Sequence, residues 1–142
     1  MLSASHSVTV NRSASDVFAF VANGENAPRW RSGVLDVKRE SGEGVGTVYR
    51  QGVRGPGGRR VAADYEITSY QPDTLLAFKT IAGPVRPTGE FRLEEVGGAT
   101  TLRMSLRADL AGVKRLLMSG MVQKTMNAEV AAIDNLKRIM EP

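Results

Sequence analysis

The sequence predicts an α+β domain. It has a seven-stranded curved antiparallel sheet, two short helices after the first strand, and a long C-terminal helix across the concave face. Three observations predict it. The hydrophobic pattern switches from period two to helical period early, returns to period two for the middle of the chain, and becomes helical again at the end. The middle segments are joined by short Gly-, Pro- and Asp-rich turns, as in an antiparallel meander. The last strands are apolar on one face only and need a cover, which the closing amphipathic segment can supply.

Residues 6–11, "HSVTVN", alternate as a strand with Val8 and Val10 on one face. Ser13 and Asp16 then have capping-box spacing, which starts a helix with Val17, Phe20 and Val21 on one side. Gly24 ends that helix. Pro28 stands where a second, shorter one can begin, because a first turn does not need its missing N–H. Six strands follow over residues 34–40, 47–53, 59–70, 74–81, 85–96 and 100–110. Phe91 and Leu93 alternate with Glu90, Arg92 and Glu94, and Leu102, Met104 and Leu106 alternate with Thr101, Arg103, Ser105 and Arg107. Both faces of 74–81 carry apolar residues, so either Phe78 or Lys79 can point inward. In 112–141, Val122, Met126, Val130, Ile133, Leu136 and Met140 recur at three- and four-residue steps. Lys114, Lys124, Asp134, Lys137 and Arg138 lie off that stripe. Such a helix is about 45 Å long, enough to cross a whole sheet.

A chain of 142 residues without repeat or linker reads as one domain, 1–142, and its 42% hydrophobic and 24% charged residues are those of an ordinary globular protein. It has no cysteine, which excludes disulfides and thiolate chemistry. The N-terminus lacks a basic segment followed by an apolar run, and no apolar run reaches the roughly 20 residues of a membrane span. The expectation is a cytoplasmic protein without an integral membrane segment. His6 is the only histidine and a candidate general base, but no Ser or Cys nucleophile is tied to it. With no second histidine and scattered carboxylates, no metal is expected. "GEGVGT" joins two strands, where a phosphate-cradling loop would open a helix, so no cofactor is expected either. Trp30 between Arg29 and Arg31, with Arg54, Arg59 and Arg60, raises nucleic-acid binding. Against it, aromatics are only 6% of residues, and Glu90, Glu94 and Glu95 interrupt the basic surface. No nucleic-acid partner is expected.

Taken in order, "VTVNRSASDVFAFVAN", Trp30 after "ENAPR", "GVGTVYR", "DYEITSYQPDTLLAF", "GEFRLEEVGGATTLRMS" and "LKRIME" resemble the START/Bet v 1-like (SRPBCC) superfamily. The polyketide cyclase/dehydrase-like branch is the nearer likeness. The resemblance spans nearly the whole chain and implies a helix-grip fold with a cavity between sheet and long helix. It implies a hydrophobic ligand, which is a polyketide, lipid, isoprenoid or aromatic compound. Cyclases, carriers, receptors and allergens share the fold, so it does not assign an activity. A binder, a polyketide cyclase/aromatase or dehydratase, and a ligand-free interaction module all remain open, as does a homodimer.

In such a cavity Met104, Met118, Met121, Met126 and Met140 would form a soft lining, with Val122, Phe78 and Phe91 beside them. Tyr65 shares a strand face with Val61, Ala63 and Ile67, and its phenol would seek a partner. Arg50 would meet an acidic ligand group. Tyr65 and His6 are the candidates for moving a proton in an enzyme. Trp30 would pack on the sheet or touch the ligand, with Arg29 and Arg31 in water. "RGPGGRR", residues 54–60, would be a loop at the cavity mouth or an exposed hairpin tip.

Overall fold

A computed structural model describes residues 1–141, without the side chains of residues 113, 114 and 116. The expected placement of Lys114 off the helix stripe therefore lies outside the described residues. Strand β1 (Leu2–Val10) leads into α1 (Ala14–Ala22), a 3-10 turn (Gly24–Asn26) and α2 (Ala27–Trp30). Then come β2 (Val34–Ser41), β3 (Val48–Arg54), a second 3-10 turn (Pro56–Gly58), β4 (Arg60–Ala62) and β5 (Tyr65–Gln71). Next are β6 (Leu75–Thr80), β7 (Thr88–Val96), β8 (Ala99–Ala108), α3 (Gly112–Ala131) and α4 (Ile133–Met140).

The strands form one antiparallel sheet in the order β1-β8-β7-β6-β5-β3-β2, with β4 paired to β3. Register shifts in β2/β3 and in β5/β6 mark bulges, which add twist and curve the sheet. The sheet stays unclosed, and the long C-terminal segment lies in its concavity, so the helix-grip expectation holds.

Local chemistry explains most of the boundaries. The Ser13 hydroxyl accepts the Asp16 N–H at 3.1 Å, as the spacing predicts. The buried face of α1 is Ala14, Val17, Phe18 and Val21, whereas Phe20 sits at its margin beneath the Arg29 guanidinium, 5.1 Å from the ring centre. Strand β1 starts at Leu2, before the predicted residue 6, because nine consecutive residues find partners on β8. Strand β7 starts at Thr88 rather than 85, since Pro87 has no N–H to give to the ladder.

Two predicted elements are divided. The single strand expected over 59–70 becomes β4 and β5, which raises the strand count to eight. Both halves keep one register against β3, from Arg54↔Arg60 to Val48↔Glu66. At the break, the Asp64 carboxylate accepts the Gln51 N–H at 3.0 Å, and the Gln51 side-chain amide donates to the Ala63 carbonyl at 3.0 Å. Side chains have taken over one bond of this pair, while the Ala63 N–H still donates to the Gln51 backbone carbonyl at 2.8 Å. The long helix is divided at Ala132, whose N–H tightens onto Glu129 and Val130. The predicted stripe of Val122, Met126, Val130, Ile133, Leu136 and Met140 is buried on both sides of that break.

Candidate ligand cavity

Between the sheet and α3 lies a cavity of about 760 Å³. Its sheet wall is built on a chain of aromatic contacts. Tyr49 stacks on Tyr65 with centres 5.0 Å apart, Tyr65 meets Phe78 at 5.7 Å, Phe78 meets Phe91 at 6.0 Å, and Phe91 meets Trp30 edge-on at 6.1 Å. Two glycines make room for these rings. Gly89 is paired across from Phe78, and a Cβ there would stand 2.5 Å from the Phe78 ring. A Cβ on Gly24 would fall on the Tyr65 hydroxyl and 2.8 Å from the Tyr49 ring.

Tyr65, Phe78, Phe91 and Met104 face the cavity from the sheet, and Met118, Met121, Val122 and Met126 face it from α3. Phe78 points inward and Lys79 outward, which answers the question left open for that strand. Trp30 lines one end while packed on Phe91, so the indole closes the core and borders the cavity at once. Met140 belongs to the core of α4, away from this lining.

Three expectations fail. Arg50 is exposed on the outer face and pairs with Glu40, because alternation along β3 turns Tyr49, Gln51 and Val53 inward instead. His6 lies on β1 outside the cavity, where its Nε2 meets Asp134 of α4 at 2.9 Å. Arg31 is not in water: its Nε donates to Glu129 at 2.7 Å and an Nη donates to the side-chain amide oxygen of Gln51 at 3.0 Å. Its guanidinium lies 5.9 Å from the Trp30 ring centre, within cation–π reach.

Arg31, Gln51 and Glu129 form a polar cluster on an otherwise mostly apolar wall, tying the turn after α2 to β3 and α3. One signal for Glu129 is in the sequence: it falls seven residues after Val122 and three after Met126, on the margin of the buried stripe. Gln51 is likewise legible by alternation with Tyr49 and Val53.

The Tyr65 hydroxyl has no hydrogen-bond partner among the described residues. Burial pushes this phenol well above its ordinary range, and the Arg31 guanidinium offsets that only in part. The group is therefore a neutral donor near pH 7, suited to a ligand carbonyl or hydroxyl oxygen. No group of three or more His, Cys, Asp or Glu able to hold a metal is found among the described residues. No helix of the described residues is long and apolar enough to cross a membrane.

Residues 1–141 match the model of a family described as polyketide cyclase / dehydrase and lipid transport. The fold is similar to TTHA0849 from Thermus thermophilus, with TM-score 0.82, 17% identity, and 97% of this chain and 96% of that one covered. It is similar to a START superfamily protein from Mycobacterium smegmatis, with TM-score 0.80, 16% identity and coverage of 98% and 97%. It is also similar to the Zhui aromatase/cyclase from Streptomyces sp. R1128, with TM-score 0.68, 18% identity and coverage of 96% and 94%. At these identities the likeness concerns the fold alone. No curated protein matches the sequence.

Proposed function

The chain belongs to the polyketide cyclase / dehydrase and lipid transport family, and from that premise we propose that it binds a hydrophobic small molecule in the cavity between sheet and α3. The molecule is largely apolar and carries one oxygen-bearing end. The observation that carries this reading is the cavity itself: about 760 Å³, walled by aromatic and methionine side chains, with one polar cluster and one phenol that has no partner among the described residues. Cavities of about 300–1,000 Å³ with few placed polar groups are the usual form of small-molecule sites. The apolar body would lie along Phe78, Phe91, Met104 and Met126. The oxygen would accept from Tyr65, beside the Arg31–Glu129 pair.

Binding is favoured over a proton-moving cyclase or dehydratase by the ionisable groups that line the cavity. These are Arg31, Arg54, Lys124, Glu129 and Tyr65. Among the described lining residues the Glu129 carboxylate is engaged by Arg31 at 2.7 Å and Tyr65 stays protonated, while His6 lies outside the cavity, so no free carboxylate or imidazole faces the ligand.

The test combines native mass spectrometry of the purified protein with titration of the single indole. A co-purifying small molecule is expected, and apolar carbonyl compounds should change Trp30 fluorescence and raise the melting temperature. The reading fails if no molecule co-purifies and a broad panel of such compounds moves neither signal. Turnover of a bound compound would move the assignment to the enzyme.

A further inference from the structure

Exposed residues among those lining the cavity include Arg54, Pro56, Ala62, Pro84, Met121, Lys124 and Thr125, and beyond them Asn23, Ser32 and Ala128. The basic part of this rim is made by three segments, 54–59, 82–87 and 117–125. These segments contain Arg54, Arg59, Arg86 and Lys124 and not one Asp or Glu. All four cations are exposed, and none has a carboxylate partner among the described residues. On other surfaces Arg12, Arg50, Arg60, Arg92 and Lys137 are each paired with a carboxylate, whereas Lys38, Arg39, Lys79 and Arg107 are not, so the rim is set apart by four cations on segments that hold no acidic residue. The same rim carries two large apolar side chains one helical turn apart on α3. Leu117 is 76% exposed and Met121 53% exposed.

We propose that this rim docks on the surface of an anionic lipid bilayer, with Leu117 and Met121 entering the interfacial layer and the four cations lying over lipid phosphates. Apolar side chains flanked by Lys and Arg bind such surfaces by burying apolar area and by electrostatic attraction. Cations spread over three separate segments suit a diffuse layer of phosphates better than a discrete set of carboxylates on a protein. Docking would also set the opening of an apolar cavity against hydrocarbon, so that a water-insoluble ligand could pass without crossing water. The docking surface itself does not depend on the binding reading. It is measured with no cavity ligand added, so its failure and the failure of that reading are separate results.

The experiment is co-sedimentation of the whole chain with vesicles of phosphatidylcholine alone and of phosphatidylcholine mixed with phosphatidylglycerol. Retention is expected on the mixed vesicles only, and it should weaken as salt is raised. Arg86→Glu with Lys124→Glu should lower the partition coefficient about thirtyfold or more. Lys38→Glu with Lys79→Glu makes the same change in net charge on exposed residues outside the cavity. It should lower the partition far less. Leu117→Ser with Met121→Ser should weaken binding at equal charge. These side chains are exposed, so the variants should keep the wild-type melting temperature, and Leu117→Ser alone serves if the pair does not. The proposal is overturned by any of three results: no retention on anionic vesicles, equal losses in the rim and control pairs, or unchanged binding of the serine variants. Retention on immobilised polyglutamate but not on vesicles would assign the rim to an acidic protein instead.

Discussion

Tyr65 presents at the cavity wall a hydroxyl that has no hydrogen-bond partner among the described residues. Tyr65→Phe should therefore leave the melting temperature nearly unchanged. It should weaken a ligand with a carbonyl or hydroxyl end by about fivefold, the worth of one neutral hydrogen bond of about 1 kcal/mol. A purely apolar ligand should bind both proteins equally. Calorimetric titration of the two ligand types checks this, and equal losses for both would mean that the ring and not the hydroxyl matters. Glu129 differs, because its side chain and that of Arg31 keep only 20% and 16% of their exposure. Glu129→Leu leaves the guanidinium with Gln51 alone and should cost about 2 kcal/mol in urea unfolding, less than for a fully buried pair. Gly24→Ala places a methyl where the Tyr65 hydroxyl and Tyr49 ring already sit. It should cost about 1–3 kcal/mol as the rings shift. Residue-level legibility was uneven for a physical reason. Alternation placed Phe91 and Met104, but an arginine beside a tryptophan reads as solvated until its distant partners are known. Those of Arg31 stand 20 and 98 residues away.

At the scale of elements, period and turn chemistry made the strands and helices legible, and side chains that bond to backbone set the exceptions. The break between β4 and β5 depends on Asp64 and Gln51, and neither residue announces it in a pattern of apolar spacing. Edge strand β1 shows the same physics. Its Ser3 and Thr9 carbonyls accept from Gln123 of α3 and Lys137 of α4, which blocks part of the open edge. At the end of α4, the Lys137 ammonium holds Glu141 below the ordinary carboxylate range, with help from the Asn11 backbone. A lowered folded pKa means stability that is fully present above the unfolded value of about 4.3 and is lost as pH falls through the folded one. Glu141→Gln should therefore lower the neutral plateau slightly, converge with the wild type at low pH, and so flatten the acid side of a melting-temperature profile below about pH 5. A variant with the same acid limb as the wild type would place that acid sensitivity elsewhere.

At the scale of the whole molecule, the cavity is the property that periodicity does not contain. Apolar inner faces look alike in a sequence whether they close on each other or around a void. The resemblance to a known superfamily pointed to the cavity, and the aromatic chain with its two accommodating glycines explains how it stays open. A ligand present at one hundred times its dissociation constant should stabilise the fold by about 2.7 kcal/mol, or about 10 °C for a chain of this length. A thermal-shift series against ligand concentration checks the amount, and a plateau within 1–2 °C (about 0.5 kcal/mol) would mean that the compound binds weakly or at the surface.

The break at Ala132 also divides the molecule in time. Ile133 and Leu136 of α4 are fully enclosed, and the Asn135 amide donates to the Trp30 carbonyl at 3.1 Å, so this half is fastened to the core. The first turns of α3 carry exposed Leu117 and Met121 over a hollow. Amide protons of the first turns of α3 should then exchange with solvent through local openings, while those of α4 wait for global unfolding. One half of the grip can loosen while the other holds its place.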